Sequence, residues 1–258
     1  MVPLLDVQDL TVQVKETGQR IVDGVSFTVE PKSVVSLVGG SGSGKTTTGY
    51  AILRLLDPAL DIERGKILFE GEDLSQKTDH QMNRVRGGKI SMVFQEPLNA
   101  FNPVFSIGYQ MDEMMRFHTR LDGKQRRAKS LKLLDLVGLP FPERVLRQYP
   151  HQLSGGMRQR AMIAQALAAD PQLLIADEPT SNLDVTLQAR IIDLFRTIKE
   201  ELSLSILLIT HDLGMVAHVS DTTIVLCEGR AVEQGSTKDI QEHPAHAYTK
   251  QLLEALKV

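Results

Sequence analysis

The segment VVSLVGGSGSGKTTTGYAILRLL, residues 34–56, constrains the fold more than any other stretch of the chain. Val34 to Val38 form the short, mostly apolar run that a buried strand needs, and from Thr46 the apolar residues recur at helical spacing. Between them Gly39, Gly44, Lys45 and Thr46 fit the pattern G-x-x-x-x-G-K-[ST]. The glycines lie where a strand turns into a helix, so phosphate oxygens can approach bare backbone N–H groups at a helix N-terminus. Lys45 brings a point charge to the β- and γ-phosphates, and the Thr46 hydroxyl is placed to ligate Mg²⁺. A glycine-rich turn by itself reads equally well as a flexible loop. Strand, spacing and the Lys-Thr pair together argue against that.

Three more segments follow in order: LSGGMRQ at 153–159, LLIADEPT at 173–180 and ITHD at 209–212. Leu173 to Ala176 read as a central parallel strand, which puts Asp177 and Glu178 at its C-terminal end, where open α/β sheets place their ligands. Asp177 suits Mg²⁺ held through water, because that ion keeps several waters and takes few carboxylates. Glu178 points the other way and can polarise an attacking water. An isolated Asp-Glu pair is usually a solvated acidic turn; a buried strand before it and a phosphate loop upstream favour the functional reading. LSGG precedes MRQRAMIAQALAAD, rich in helix formers, so Ser154 to Gly156 sit at a second helix N-terminus able to bind anions.

A phosphate loop, LSGGMRQ and an Asp-Glu strand in this order closely resemble the ABC (ATP-binding cassette) ATPases, over essentially the whole chain. The resemblance implies a phosphate-loop, RecA-like α/β nucleotide core with an antiparallel β subdomain and a helical insert. It assigns Gly39, Ser41, Gly42, Ser43, Gly44, Lys45, Thr46 and Thr47 to nucleotide binding, and Asp177, Thr46 and Gln95 to Mg²⁺. Glu178, Gln95 and His211 become the catalytic set, Gln95 through MVFQEP and His211 as the switch histidine. Leu153, Ser154, Gly155, Gly156 and Gln159 match the signature loop, and Ser181 to Asp184 the D-loop. A lone histidine after a strand is more often structural and SGG more often a turn; order and company reverse both readings. The family pairs its cassettes head to tail, each ATP lying between one subunit's phosphate loop and the other's signature loop.

Finer segments narrow the resemblance: QEPLNAFNP at 95–103, VRGGKISMVFQ at 85–95, DVTLQARIIDL at 184–194 and HAYTKQLLEAL at 246–256 look like the oligopeptide, dipeptide and nickel importer group. That implies an ATPase at the cytoplasmic face of a membrane, peripheral to integral permease subunits. The implied partners are a second ATPase subunit, identical or paralogous, and indirectly a substrate-binding protein. Peptides are the first expected cargo and nickel or a metal chelate the second. Many peptide-type relatives carry a longer C-terminal tail, so this chain looks like the short members. The alternative is a non-transport ABC ATPase acting on nucleic acid or ribosomes, which normally shows paired cassettes, a long coiled-coil insertion or basic extensions.

Composition agrees. The 258 residues are 42% hydrophobic and 24% charged, ordinary for a globular protein, and the net charge of −3 offers no broad basic field for nucleic acid. The basic cluster GKQRRAK at 123–129 reads as a solvated helix face. ILLI at 206–209 is among the longest apolar runs and falls far short of the ~18 residues of a membrane span. The N-terminus lacks the basic start and apolar run of a secretion signal. The single cysteine, Cys227, excludes an internal disulfide and reads as a buried strand residue.

A coarse pass expects one domain over 1–258, with the nucleotide core and β subdomain at about 1–96 and 169–258 and the helical insert at about 97–168. Within the insert, helices are expected from Ser106 to His118 and from Lys124 to Val137, the latter closed by Gly138. A tight turn is expected at Glu228-Gly229, then a short C-terminal helix. Two departures from the family stand out. Asn182 replaces the usual alanine of the D-loop, and no Phe, Tyr or Trp precedes Phe27 to stack on adenine. Arg20 can stack its guanidinium instead, or Val14 can make an apolar contact.

Overall fold

The computed structural model describes residues 2–96, 100–181 and 184–255. Two compact units emerge, Met1–Met82 with Ser203–Val258, and Asn83–Leu202.

In the first unit, strand β3 (Val34–Val38) is buried at all five residues. It pairs in parallel with β8 (Ser205–Thr210) and with β9 (Thr222–Cys227), in registers that match Val38 to Thr210 and to Val225. A strand enclosed on both edges and faces must be apolar, and each fully buried Val or Leu contributes ~1.5–3 kcal/mol. β10 (Arg230–Ser236) returns antiparallel to β9 through Glu228 and Gly229, with φ of 47° and 79°. Positive φ at both central residues is the type I′ hairpin geometry, so the expected tight turn is present. Helix α1 (Lys45–Ile52) follows β3 and is shorter than its apolar spacing predicts. Leu53 caps it and Arg54, at φ 53°, turns the chain away.

The same unit holds an antiparallel sheet in the order β2-β1-β4-β5, built from β1 (Leu5–Val14), β2 (Arg20–Val29), β4 (Leu60–Phe69) and the two-residue β5 (Glu72–Asp73). Helix α8 (Leu213–Val219) follows β8 and is capped by Asp212, whose carboxylate accepts the Met215 N–H at 3.1 Å. Helices α9 (Thr237–Glu242) and α10 (Ala247–Ala255) follow β10. Cys227 ends β9 only half-buried, because the next residue is already the turn; burial and the neighbouring Glu228 charge push its thiol up.

In the second unit, α2 (Asp79–Val85) leads in from the first, and β6 (Ile90–Val93) pairs in parallel with β7 (Leu173–Asp177), Val93 opposite Ala176. Between them lie α3 (Ile107–His118), α4 (Gly123–Leu136), α5 (Pro142–Arg147) and α6 (Gly155–Ala166), with α7 (Val185–Leu202) after β7. The helix boundaries follow from caps that the sequence carries. Ser106 accepts the Tyr109 N–H at 3.2 Å, Asp122 and Gln125 form a capping box, and Gly138 at φ 69° closes α4. The basic cluster on α4 is a surface of ion pairs: Arg126 meets Asp112 at 2.6 Å, Lys129 meets Asp170 at 2.5 Å, and Arg127 meets Glu143.

The second unit, Asn83–Leu202, takes in more than the helices expected at about 97–168. β6, β7 and α7 go with the helices, because β6 and β7 pair with each other and α6 packs against β6.

Candidate nucleotide site

The phosphate loop leaves β3 at Gly39, and the register of Val38 with Thr210 places His211 beside it, at the carboxyl ends of two paired strands. Gly39 runs so close to the hairpin that a Cβ there would lie 2.2 Å from the Leu226 carbonyl and 2.7 Å from Ser43 Oγ. Gly44 caps α1 at φ 95°, and a Cβ would meet the Ile21 carbonyl at 2.8 Å, so glycine is required twice over. Where α3, α4 and α6 are capped by Ser106, Asp122 and Ser154, the start of α1 has no side-chain cap and no acidic residue in its first turn. Its N–H groups and dipole therefore favour an anion, the fit that a phosphate needs.

Lys45 lies folded over the loop and buried, its ammonium donating to the Gly39 and Gly40 carbonyls at 2.8 Å each and to Ser43 Oγ at 3.4 Å. Ser41 and Gly42 are exposed at the tip, while Ser43 is buried and Thr46 and Thr47 are half-buried on the first turn. The loop is braced from outside. The Gly229 N–H donates to the Ser43 carbonyl at 3.2 Å, and the Gly40 N–H donates to the Tyr248 hydroxyl at 2.8 Å. Nothing local in the sequence marks Tyr248 as a neighbour of this loop.

Arg20 begins β2, one residue before the Ile21 carbonyl that abuts Gly44. Its guanidinium is held at its edge by Glu63, at 2.9 and 3.0 Å, and by Asp23 at 3.2 Å. The Glu63 hydrogen bond and charge raise its already high pKa, so it is a fixed cation. Val14 ends β1 half-buried.

In the second unit, the parallel register of β6 and β7 brings Gln95, two residues past Val93, to the same strand edge as Asp177 and Glu178. Asp177 is fully buried at the end of β7, and Glu178 leaves the strand at φ 47°. Non-glycine residues take that left-handed conformation at a cost of ~1–2 kcal/mol, so the surroundings must hold it. Ser181 does so in part, both its N–H and its Oγ donating to the Glu178 carbonyl, at 3.1 and 2.8 Å. Asp184 accepts the Leu187 N–H at 2.9 Å and starts α7. Asn182, the departure from the family's D-loop, lies outside the described residues.

At the signature loop, Ser154 caps α6 by accepting the Met157 N–H at 3.3 Å. Ser154 and Gly155 are exposed, and a Cβ on Gly155 would meet nothing within 4 Å. Gly156 faces Leu187, whose side chain would lie 3.2 Å from a Cβ there. Gln159 differs from Ser154 in burial: it is 3% exposed, and its Nε2 has no hydrogen-bond partner among the described residues.

The sequence profile of the ABC transporter family matches residues 22–181, well over half of the chain. A putative peptide import ATP-binding protein of Brucella abortus is 45% identical over 98% of this chain and 77% of its own length. The chain belongs to the ABC transporter family. Within that family the cassette is also 43% identical to the oligopeptide transport ATP-binding protein OppD of Bacillus subtilis, over 98% of this chain and 72% of that one. It resembles a dimeric, post-hydrolysis structure of the ATP-binding cassette MJ0796 bound to ADP and Pi, with a TM-score of 0.79 at 26% identity over 90% of this chain and 98% of that chain. The cassette is an ATPase with the α/β fold that its phosphate loop predicts. Among its described residues no helix is long and apolar enough to cross a membrane.

Proposed function

We propose that this cassette is the ATP-hydrolysing subunit of an importer for peptides, working at the cytoplasmic face of a membrane through separate integral permease subunits. The observation that carries the reading is the uncapped start of α1 under Lys45, a cradle for phosphates, in a chain whose relatives are named for peptide import at 45% identity and for oligopeptide transport at 43%. Ser43, Gly44, Lys45, Thr46 and Thr47 bind the triphosphate, and Gly39, Ser41 and Gly42 let it approach. Thr46, Gln95 and Asp177 supply the oxygens that suit Mg²⁺, which neutralises charge on the phosphates when bound. Glu178 accepts a proton from the attacking water, Gln95 orients that water, and His211 donates toward the γ-phosphate. Ser154, Gly155 and Gly156 offer a second helix N-terminus to the nucleotide of a partnering cassette, identical or paralogous, so that ATP closes the pair and hydrolysis loosens it. A substrate-binding protein delivers cargo to the permease.

Affinity purification of the tagged chain from its native membranes tests this reading. Integral membrane subunits should co-purify, and their loss from cells should abolish uptake of a labelled peptide. Recovery with nucleic acid or ribosomes and no membrane subunit would overturn it, and uptake of nickel instead of peptide would reassign the cargo.

A further inference from the structure

Gly40 is held through both of its backbone polar groups. Its carbonyl accepts from Lys45 Nζ at 2.8 Å, while its N–H donates to the Tyr248 hydroxyl at 2.8 Å, from a residue 208 positions along the chain. A glycine alone would leave this turn free to rotate, and rotation would carry away the carbonyl that Lys45 holds.

The helix that carries Tyr248 is itself anchored. Glu233 on β10 accepts the Ala245 N–H at 2.7 Å and the His246 N–H at 3.1 Å, just ahead of α10. His246 Nδ1 accepts the Tyr248 N–H at 3.2 Å. Further along, Leu252 and Leu253 pack on the cluster of Val38, Leu213 and Val216, and Val38 is the last residue before the loop. The helix is thus anchored on both sides of Tyr248, whose hydroxyl reaches Gly40. A Cβ at Gly40 would lie 3.0 Å from that oxygen, so the contact leaves little slack.

We propose that Tyr248 is a positioning residue for nucleotide binding: its hydroxyl holds Gly40 so that the phosphate loop keeps its binding shape before the triphosphate arrives. The inference rests on reading this loop as the triphosphate site. When phosphate enters, Lys45 exchanges carbonyl contacts for phosphate oxygens, and the Tyr248 bond keeps the first turn in place during the exchange. A pre-ordered loop binds ground state and transition state alike, so the hydroxyl acts on affinity and not on the chemical step.

The test compares wild type, Tyr248→Phe, Gly40→Ala, the double variant and Leu252→Ala in the purified full chain, with MgATP and with inorganic pyrophosphate as the probes. Loss of one neutral hydrogen bond should weaken Tyr248→Phe for MgATP by about threefold to tenfold. Pyrophosphate should weaken by the same factor, because the change is in the cradle and not at the base. The turnover rate at saturating MgATP should match wild type. Gly40→Ala should cost less affinity in the Phe background than in wild type, since the crowded oxygen is gone. Leu252→Ala should lower the melting temperature while leaving MgATP affinity within about twofold. Wild-type affinity in Tyr248→Phe, an effect on MgATP without one on pyrophosphate, strict additivity, or equal weakening by Leu252→Ala would each overturn the assignment. Failure of wild type to bind either probe would instead overturn the reading of the loop.

Discussion

Arg20 shows how much one side chain's neighbours decide. With its edge taken by Glu63 and Asp23, only the faces of the guanidinium remain for a base, and a cation–π or stacking contact at an exposed site contributes ~0.5–1 kcal/mol. The phosphate contacts then carry most of the affinity, and the base adds little discrimination. GTP should compete with ATP within about tenfold, and Arg20→Ala should weaken ATP modestly with an unchanged rate at saturation. Equilibrium competition with the two nucleotides checks both. An ATP preference above about a hundredfold, or an Arg20→Ala variant that binds as wild type does, would mean that other residues read the base. At this scale the sequence is legible where chemistry is written in contiguous letters: Gly39 to Thr47, Ser154 to Gly156, and Asp177 with Glu178. It is silent where the partner is distant, as with Glu63 beside Arg20 or Tyr248 beside Gly40, because no local pattern encodes a contact 43 or 208 residues away. Gln159 is a case of its own. It belongs to the motif by spacing, yet helical periodicity turns it inward.

Elements were readable to the extent that caps and alternation survive folding. Ser106, Asp122 and Gly138 mark their helix ends in sequence and in space. β4 begins at Leu60, on a stretch whose letters do not alternate as a strand's should. The reason is a bulge: the pairing with β1 shifts between Gln8 and Thr11, Asp9 takes φ 49°, and Gly65 at φ 106° would place a Cβ 2.6 Å from the Asp9 carbonyl. That shift breaks the period-2 alternation, and the polar stretch of Glu63 and Arg64 hides a strand. The start of α10 offers a prediction of its own. Burial pushes the Glu233 carboxyl up, but the nearby Thr249 hydroxyl, the hydrogen bonds from the Ala245 and His246 N–H groups and the His246 charge outweigh it and hold it below the usual carboxylate range. A lowered folded-state pKa contributes stability that is present above ~4.3 and is lost as pH falls through the lowered value. Glu233→Gln should therefore be less stable than wild type at neutral pH, and the gap should close below about pH 4. Denaturant midpoints across pH 3 to 7 read this directly; a gap that stays constant or widens in acid would remove Glu233 as the charged anchor of α10.

For the molecule as a whole, the sequence predicts two helix N-termini suited to one triphosphate, and helices do start at both places: α1 without a side-chain cap, and α6 with Ser154 and Gly155 exposed. A signature loop acting across a pair of cassettes implies that a Ser154→Ala, Gly155→Asp chain and a Lys45→Ala chain, each inactive alone, recover partial ATPase when mixed in one dimer, because one intact composite site forms. Where the natural pair is a heterodimer, the two changes are placed on opposite partners. No recovery in a demonstrated mixed dimer would contradict action in trans. Glu178 carries the central claim, that this cassette hydrolyses ATP with a carboxylate general base at the end of β7. Gln is nearly isosteric, and the Ser181 bonds that hold position 178 act on its backbone carbonyl, so the fold and the nucleotide cradle should survive the change. The decisive measurement is MgATP binding and steady-state hydrolysis in purified Glu178→Gln beside wild type. Affinity within a few-fold of wild type, hydrolysis lower by at least ~10²–10⁴, and ATP-trapped closed dimers are the predicted result; turnover near the wild-type rate would contradict the account.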